Sequence, residues 1–393
     1  MQPVIAFVND DKDSSILQDL FPAVRMARVT PSSPLLLSQL DNTGRMLWVD
    51  PMIDGYDLVL KGAGTLAKSW PKCRASLEKD CGVDGAEALS GDGSSGLATL
   101  AREALNKCTQ HLKPKWITVP QLPVVSGPSR NKVNRSLAKA TGDWRSSSGY
   151  SAKLVLPLVF THQSQLKNRT NWKPKIATAR KCYEDSGASV VWAVDASLED
   201  QKGTGNFPKR FGALVDFHRD LRQAFPDAMI VAGPYWGMNL VLWSRQLCDC
   251  PAISLGRGYR YSVSSTFLRA GNARIAITPL LRWAIVSPTL RRWLDEVLKS
   301  LSAQDPAYGE LSVLRKRLQA YTVKGAAARQ VAGFYSQWLD RLSASAPAGR
   351  ALALYQEFSS AFVLGRQLPT MPKAERTARR PERVAEQLML HCL

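Results

Sequence analysis

Two aspartates, Asp50 and Asp195, each stand directly behind a short apolar run, MLWV and VVWAV. If both runs are strands of one sheet, the two carboxylates reach the same edge, where a pair of acids can work on a sugar anomeric carbon. One would attack as an ionised nucleophile, and the other, with a raised pKa, would hand a proton to the departing base. The competing role for each is to cap a helix or to pair with a nearby lysine or arginine. His162 follows a third run, KLVLPLVF, and is the one histidine placed for general-base work; a structural hydrogen bond is its alternative. Gln121 and Gln163 also follow apolar runs and could read a substrate base, with Tyr235 and Trp236 as a platform for its ring. Packing is the commoner role for such rings. In the GRGYRY segment, glycines let backbone N–H groups approach an anion while Arg257, Tyr259 and Arg260 add donors, a combination suited to phosphate.

The charge balance points to a polyanionic partner. The chain of 393 residues has a formal net charge of +19 and a pI near 9.8, and neutralising phosphates releases their condensed counterions. The surplus is clustered. From residue 113 to residue 182 there are fourteen Lys or Arg against a single acid, Asp143, and Arg130, Lys132, Arg135, Lys139 and Arg145 lie at its centre. Trp116, Trp144, Tyr150 and Trp172 are interleaved with these bases. That mixture predicts DNA or RNA binding, cations tracking the backbone and rings stacking on bases, with some of the rings serving the core.

Eight apolar runs must carry these residues: Pro3–Val8, Met26–Thr30, Met46–Asp50, Lys115–Pro120, Lys153–Phe160, Ser189–Asp195, Ala228–Gly233 and Pro251–Gly256. They are continuous rather than alternating, as in strands buried on both faces of a parallel sheet. Between them lie helical periodicities, such as Ser14–Val24, Phe207–Phe225 and Leu240–Leu247. The pattern predicts an α/β fold, a (β/α)8 TIM-like barrel over residues 1–274, with chemistry at the carboxyl ends of the strands; an open doubly wound sheet is the alternative. Residues 70–96, rich in Gly, Ser and Asp, read as an insertion, and GDWRSSSG (Gly142–Gly149) as an exposed loop. Residues 275–393 read as a basic α-helical appendage, with helices near 288–301, 310–321, 326–342, 349–364 and beyond Pro381. Such an appendage could dock a protein partner.

Several classes are excluded. There is no P-loop, no dinucleotide-binding glycine motif, no HExxH, no GxSxG and no kinase signature. No cofactor is expected. Seven cysteines without a regular framework predict reduced thiols in a cytoplasmic protein, and Cys248-Asp249-Cys250 lacks the further ligands of a zinc site, so no metal is expected. MQPVIAFVND reads as a strand rather than a signal peptide, and the absence of a long apolar run predicts no membrane span.

Order and character over residues 1–260 resemble the tRNA-guanine transglycosylase superfamily, including its DNA-modifying members that insert 7-deazaguanine bases. MLWVDP occupies the place of that family's strand followed by Asp-Ser-Gly-Gly and retains Asp50; Pro51 and Met52 break the rest of the motif. The resemblance implies base exchange through a covalent aspartyl–sugar intermediate. Where the family's nucleophile belongs, this chain has Ala252 to Gly256 and no acid, and the family's zinc cluster is missing. Three functions remain open on sequence alone. They are a transglycosylase-like enzyme acting at an N-glycosidic bond in nucleic acid, a non-catalytic nucleic-acid-binding subunit of a larger assembly such as a defence or mobile-element system, and a barrel hydrolase for a small phosphorylated or sugar substrate.

Overall fold

A computed structural model describes residues 4–7, 24–31, 44–57, 89, 94–110, 113–124, 128–198, 207–235, 237–254, 273–371 and 381–392. Eight strands, β1 (Val4–Phe7), β2 (Val24–Val29), β3 (Met46–Val49), β4 (Trp116–Thr118), β5 (Lys153–Phe160), β6 (Val190–Asp195), β7 (Met229–Ala232) and β8 (Cys250–Ser254), follow one another in a closed barrel. All neighbours are parallel, and β1 pairs with β8 through Ile5↔Ala252 to Phe7↔Ser254, which shuts the ring. The fold is a (β/α)8-type barrel. Burial explains the continuous apolar runs: β5 and β6 are buried on both faces, apart from Lys153 at the start of β5.

Helices α1 (Ser94–Thr109), α2 (Pro128–Ser148), α3 (Arg169–Ser186), α4 (Phe207–Ala224) and α5 (Met238–Ser244) follow β3 to β7 in turn. The segment GDWRSSSG is not a loop but the end of α2. Gly142 is there for close packing: a Cβ would lie 2.3 Å from the Asp185 carbonyl oxygen of α3. Ser146 and Ser147 return their hydroxyl bonds to the carbonyls of Gly142 and Trp144, so a serine-rich stretch stays helical. Val24, read as the end of a helix, opens β2 instead. Of the expected insertion at 70–96, only Leu89 and residues 94–96 lie among the described residues, the latter in α1.

Beyond the barrel comes an antiparallel hairpin, β9 (Arg274–Ile277) with β10 (Arg282–Ile285), which periodicity did not signal. Five helices follow: α6 (Pro288–Ser300), α7 (Pro306–Arg317), α8 (Lys324–Ser343), α9 (Pro347–Gln367) and α10 (Pro381–Leu390). The hairpin, α6 and α7 share a small core of Ile275, Ile277, Trp293, Leu294 and Leu311. Helices α8 to α10 instead join the barrel's own core through Tyr335, Trp338, Leu354, Phe358 and Leu388. Among the described residues, no helix is long and apolar enough to cross a membrane, and no group of side chains could hold a metal ion.

Candidate functional site

The strand alternation that fills the barrel also decides what Asp50 can do. Arg28 and Trp48 sit level on β2 and β3, and Trp48 sits level with Trp116 on β4. Trp48 and Trp192 meet edge to face across the interior at 5.5 Å. The guanidinium of Arg28 lies against both rings, 4.9 Å from Trp192 and 5.8 Å from Trp48. A buried cation needs a counter-charge, and Asp50 supplies it. Arg28 donates from Nε to Asp50 Oδ2 at 2.7 Å and from Nη2 to the same oxygen. Asp50 Oδ1 accepts the Met52 N–H at 2.7 Å and holds Met52 in a left-handed turn (φ 53°). Both Arg28 and Asp50 are about 1% exposed.

Asp195 is engaged as fully. Its Oδ1 accepts from the Ser197 N–H at 2.9 Å and the Ser197 hydroxyl at 2.6 Å, and its Oδ2 accepts from Arg210 of α4 at 2.5 Å. All four carboxylate oxygens of the two acids thus accept from protein donors, the arrangement of a structural ion pair rather than of a nucleophile or proton donor facing a substrate. Asp50 and Asp195 have separate arginine partners, Arg28 and Arg210.

Three further residues of the expected site, His162, Gln121 and Tyr235, make structural hydrogen bonds. His162 caps a 3-10 turn (Gln163–Leu166): its Nδ1 accepts the Ser164 N–H at 3.2 Å and lies 2.7 Å from Ser164 Oγ. Gln163 is exposed, while its neighbour Gln165 closes the turn by accepting from the Thr161 and His162 backbone. Gln121 is buried and donates to the Asn134 carbonyl at 2.8 Å, tying the end of β4 to α2. Tyr235 is no platform for a base. It is 2% exposed, its hydroxyl accepts the Asp195 N–H at 2.6 Å, and its carbonyl accepts the Tyr335 hydroxyl of α8 at 3.0 Å. Burial raises the Tyr235 phenol well above its ordinary range, with the charge of Asp195 adding to the effect. Trp236, Arg257, Tyr259 and Arg260 lie outside the described residues.

The basic segment divides into an inside and an outside. Trp116, Trp144 and Trp172 are buried, and the Trp144 and Trp172 indoles donate to Asn106 at 2.9 Å and to Asp220 at 2.8 Å. Tyr150 is half-buried against Trp144. The expected stacking rings are therefore core, because a helix on a barrel must bury one stripe. Arg130 also turns inward, to Asp57 at 3.0 Å, and Arg145 donates to the Gly187 carbonyl at 2.7 Å. Lys132, Arg135 and Lys139 remain on the exposed face of α2, at the i, i+3, i+7 spacing of one helical stripe. Beside them, α3 exposes Lys173, Arg180 and Lys181. Arg135 meets Asp185 at 3.4 Å and Arg180 meets Glu184 at 3.2 Å. Lys132, Lys139, Lys173 and Lys181 form no ion pair among the described residues. Between the two helices, Gln121, Asn131, Asn134, Lys175, Thr178 and Cys182 line a cavity of only about 20 Å³, room for a water and not for a ligand.

No family model matches the chain, and no curated protein matches it. Among solved structures it is similar to the type I 3-dehydroquinate dehydratase of Clostridium difficile bearing covalently modified comenic acid, at 11% identity, with 67% of this chain and 89% of that chain covered and a TM-score of 0.37.

Proposed function

We propose that this barrel protein binds nucleic acid through the phosphate backbone, on the face formed by α2 and α3. The carrying observation is the exposed stripe Lys132–Arg135–Lys139 beside Lys173 and Lys181, four of the five being lysines without a carboxylate partner among the described residues. Lysine is a compact, hydrated point charge, suited to phosphate oxygens and poorly suited to reading base edges. With the tryptophans inside, binding through this face depends on charge and not on stacking. A base-exchanging or hydrolytic reaction at Asp50 and Asp195 is the weaker reading, because every carboxylate oxygen already has a protein donor.

The test is a salt series of anisotropy titrations with a labelled DNA duplex and its RNA counterpart. Log affinity should fall steeply and linearly with log salt. Reversing Lys132, Arg135 and Lys139 to Glu should weaken binding to every sequence alike and reduce the slope by roughly three, near 0.9 for each phosphate no longer neutralised. An unchanged slope in that variant, or no binding by the native protein at low salt, overturns the proposal.

A further inference from the structure

The barrel has a second cationic surface, at its amino-terminal rim, where Arg25 and Arg45 from early in the chain join Lys113, Lys115 and Lys153 of the basic segment. The pairing Met26↔Met46 sets Arg25 of β2 beside Arg45, just ahead of β3. The pairing Trp48↔Trp116 sets Arg45 level with Lys113, ahead of β4. The Lys153 N–H, opening β5, donates to the Lys115 carbonyl at 2.9 Å. Adjacent strands lie about 4.8 Å apart, so five cations from four neighbouring strands fall within roughly 15 Å. Arg25, Lys113, Lys115 and Lys153 are exposed. Arg45 is half-buried, with Nε donating to the Val24 carbonyl at 2.9 Å. The described residues at these four strand starts include no acid.

Among the described residues, the starts of β7 and β8 differ from this sector. At the start of β8, Asp249 takes Arg222 at 2.6 Å, and Asp227 precedes β7. Acids accompany the cations there, whereas at β2 to β5 the exposed Arg25, Lys113, Lys115 and Lys153 stand together. The rim cations stand at the strand starts, whereas the α2 stripe stands on the helix that follows β4.

We propose that the amino-terminal rim of β2–β5 is a second phosphate-binding surface, independent of the α2–α3 face, so that one molecule of this protein holds two nucleic-acid segments. This inference rests on the nucleic-acid-binding reading above. Its ligand class is the phosphodiester backbone, engaged without base selection, since the rim offers flexible charges and no exposed aromatic ring among its described residues.

Stoichiometry tests it. A labelled duplex of about 12 base pairs, ~40 Å long at 3.4 Å per pair, is titrated at low salt into native protein and into a Lys113→Glu, Lys115→Glu, Lys153→Glu variant, with bound mass read by sedimentation. Circular dichroism checks that the variant is folded, and the milder Lys→Gln set replaces it if it is not. The expected result is two duplexes on the native protein, one on the rim variant and one on the α2 variant. If the rim variant holds as many duplexes as the native protein, the second surface is refuted while the first stands. If the native protein holds none, the underlying reading fails as well.

Discussion

Asp50 holds a charge inside the barrel whose worth depends on Arg28 remaining opposite. Removing one member of a buried pair leaves the other uncompensated, at a cost of about 3–5 kcal/mol. Asp50→Asn should therefore lower unfolding stability by that amount, whereas Arg28→Met with Asp50→Leu should cost less than either change alone, since no lone ion remains. Urea unfolding of the four variants, Asp50→Asn, Arg28→Met, Asp50→Leu and the double, checks this, and a single variant as stable as the native protein would count against it. His218 is the residue that should govern acid stability. It is fully buried on α4, and burial, then the charge of Arg222, push its pKa down to about 3 against a smaller opposing effect of the Leu247 backbone. In the unfolded chain it titrates near 6.5, so between about 6.5 and 3 the unfolded state binds the extra proton. This contribution is complete above pH 6.5 and is lost as pH falls through that window, amounting to about 4–5 kcal/mol at most. His218→Phe should flatten the acid limb of a thermal-midpoint-against-pH curve, and an unchanged limb would refute the assignment. At this scale the positions of Asp50 and Asp195 were legible, because each follows an apolar run. Their partners were not: Arg28 sits 22 residues earlier and Arg210 15 residues later, and only the barrel's register and the crossover helix select them from 52 basic residues.

Among the elements, α2 shows how composition can mislead. Glycine and three serines in GDWRSSSG suggest a turn, yet the helix needs a glycine where it crosses α3, and Trp144 anchors the next turn in the core. Gly142→Ala sets two effects in opposition. Alanine favours an exposed helix interior by up to about 1 kcal/mol, but its methyl group would stand 2.3 Å from a backbone carbonyl, which cannot swing aside as a side chain can. Overpacking of that kind costs about 1–3 kcal/mol, so the variant should melt below the native protein, and a higher midpoint would show that α2 and α3 separate freely. The β9–β10 hairpin was hidden for a related reason. Its turn passes through Thr278–Leu280 and then Leu281 at φ 49°, with no glycine or asparagine to mark it. The long helices after it were readable because each carries an apolar stripe and several begin at proline.

For the molecule as a whole, eight apolar runs sufficed to suggest a barrel, but closure is a property of register between β1 and β8 that no single run contains. The same holds for charge, since +19 is a sum whose effect depends on placement. Cations held on the folded barrel, with α8 to α10 packed into its core, repel one another more than they do in an expanded chain. Added salt screens this repulsion, so the free protein should melt higher as sodium chloride rises from about 0.05 to 0.2 M. In a complex with duplex, the same salt acts oppositely by removing the counterion-release advantage of binding. Ligand stabilisation follows the ratio of free ligand to dissociation constant and shrinks as that constant grows. Melting curves with and without excess duplex should therefore start far apart at low salt and converge at high salt, the free protein rising while the complex falls. Parallel curves would mean that phosphate contacts do not carry the binding, and a free protein that melts lower with salt would mean that its cations are already balanced.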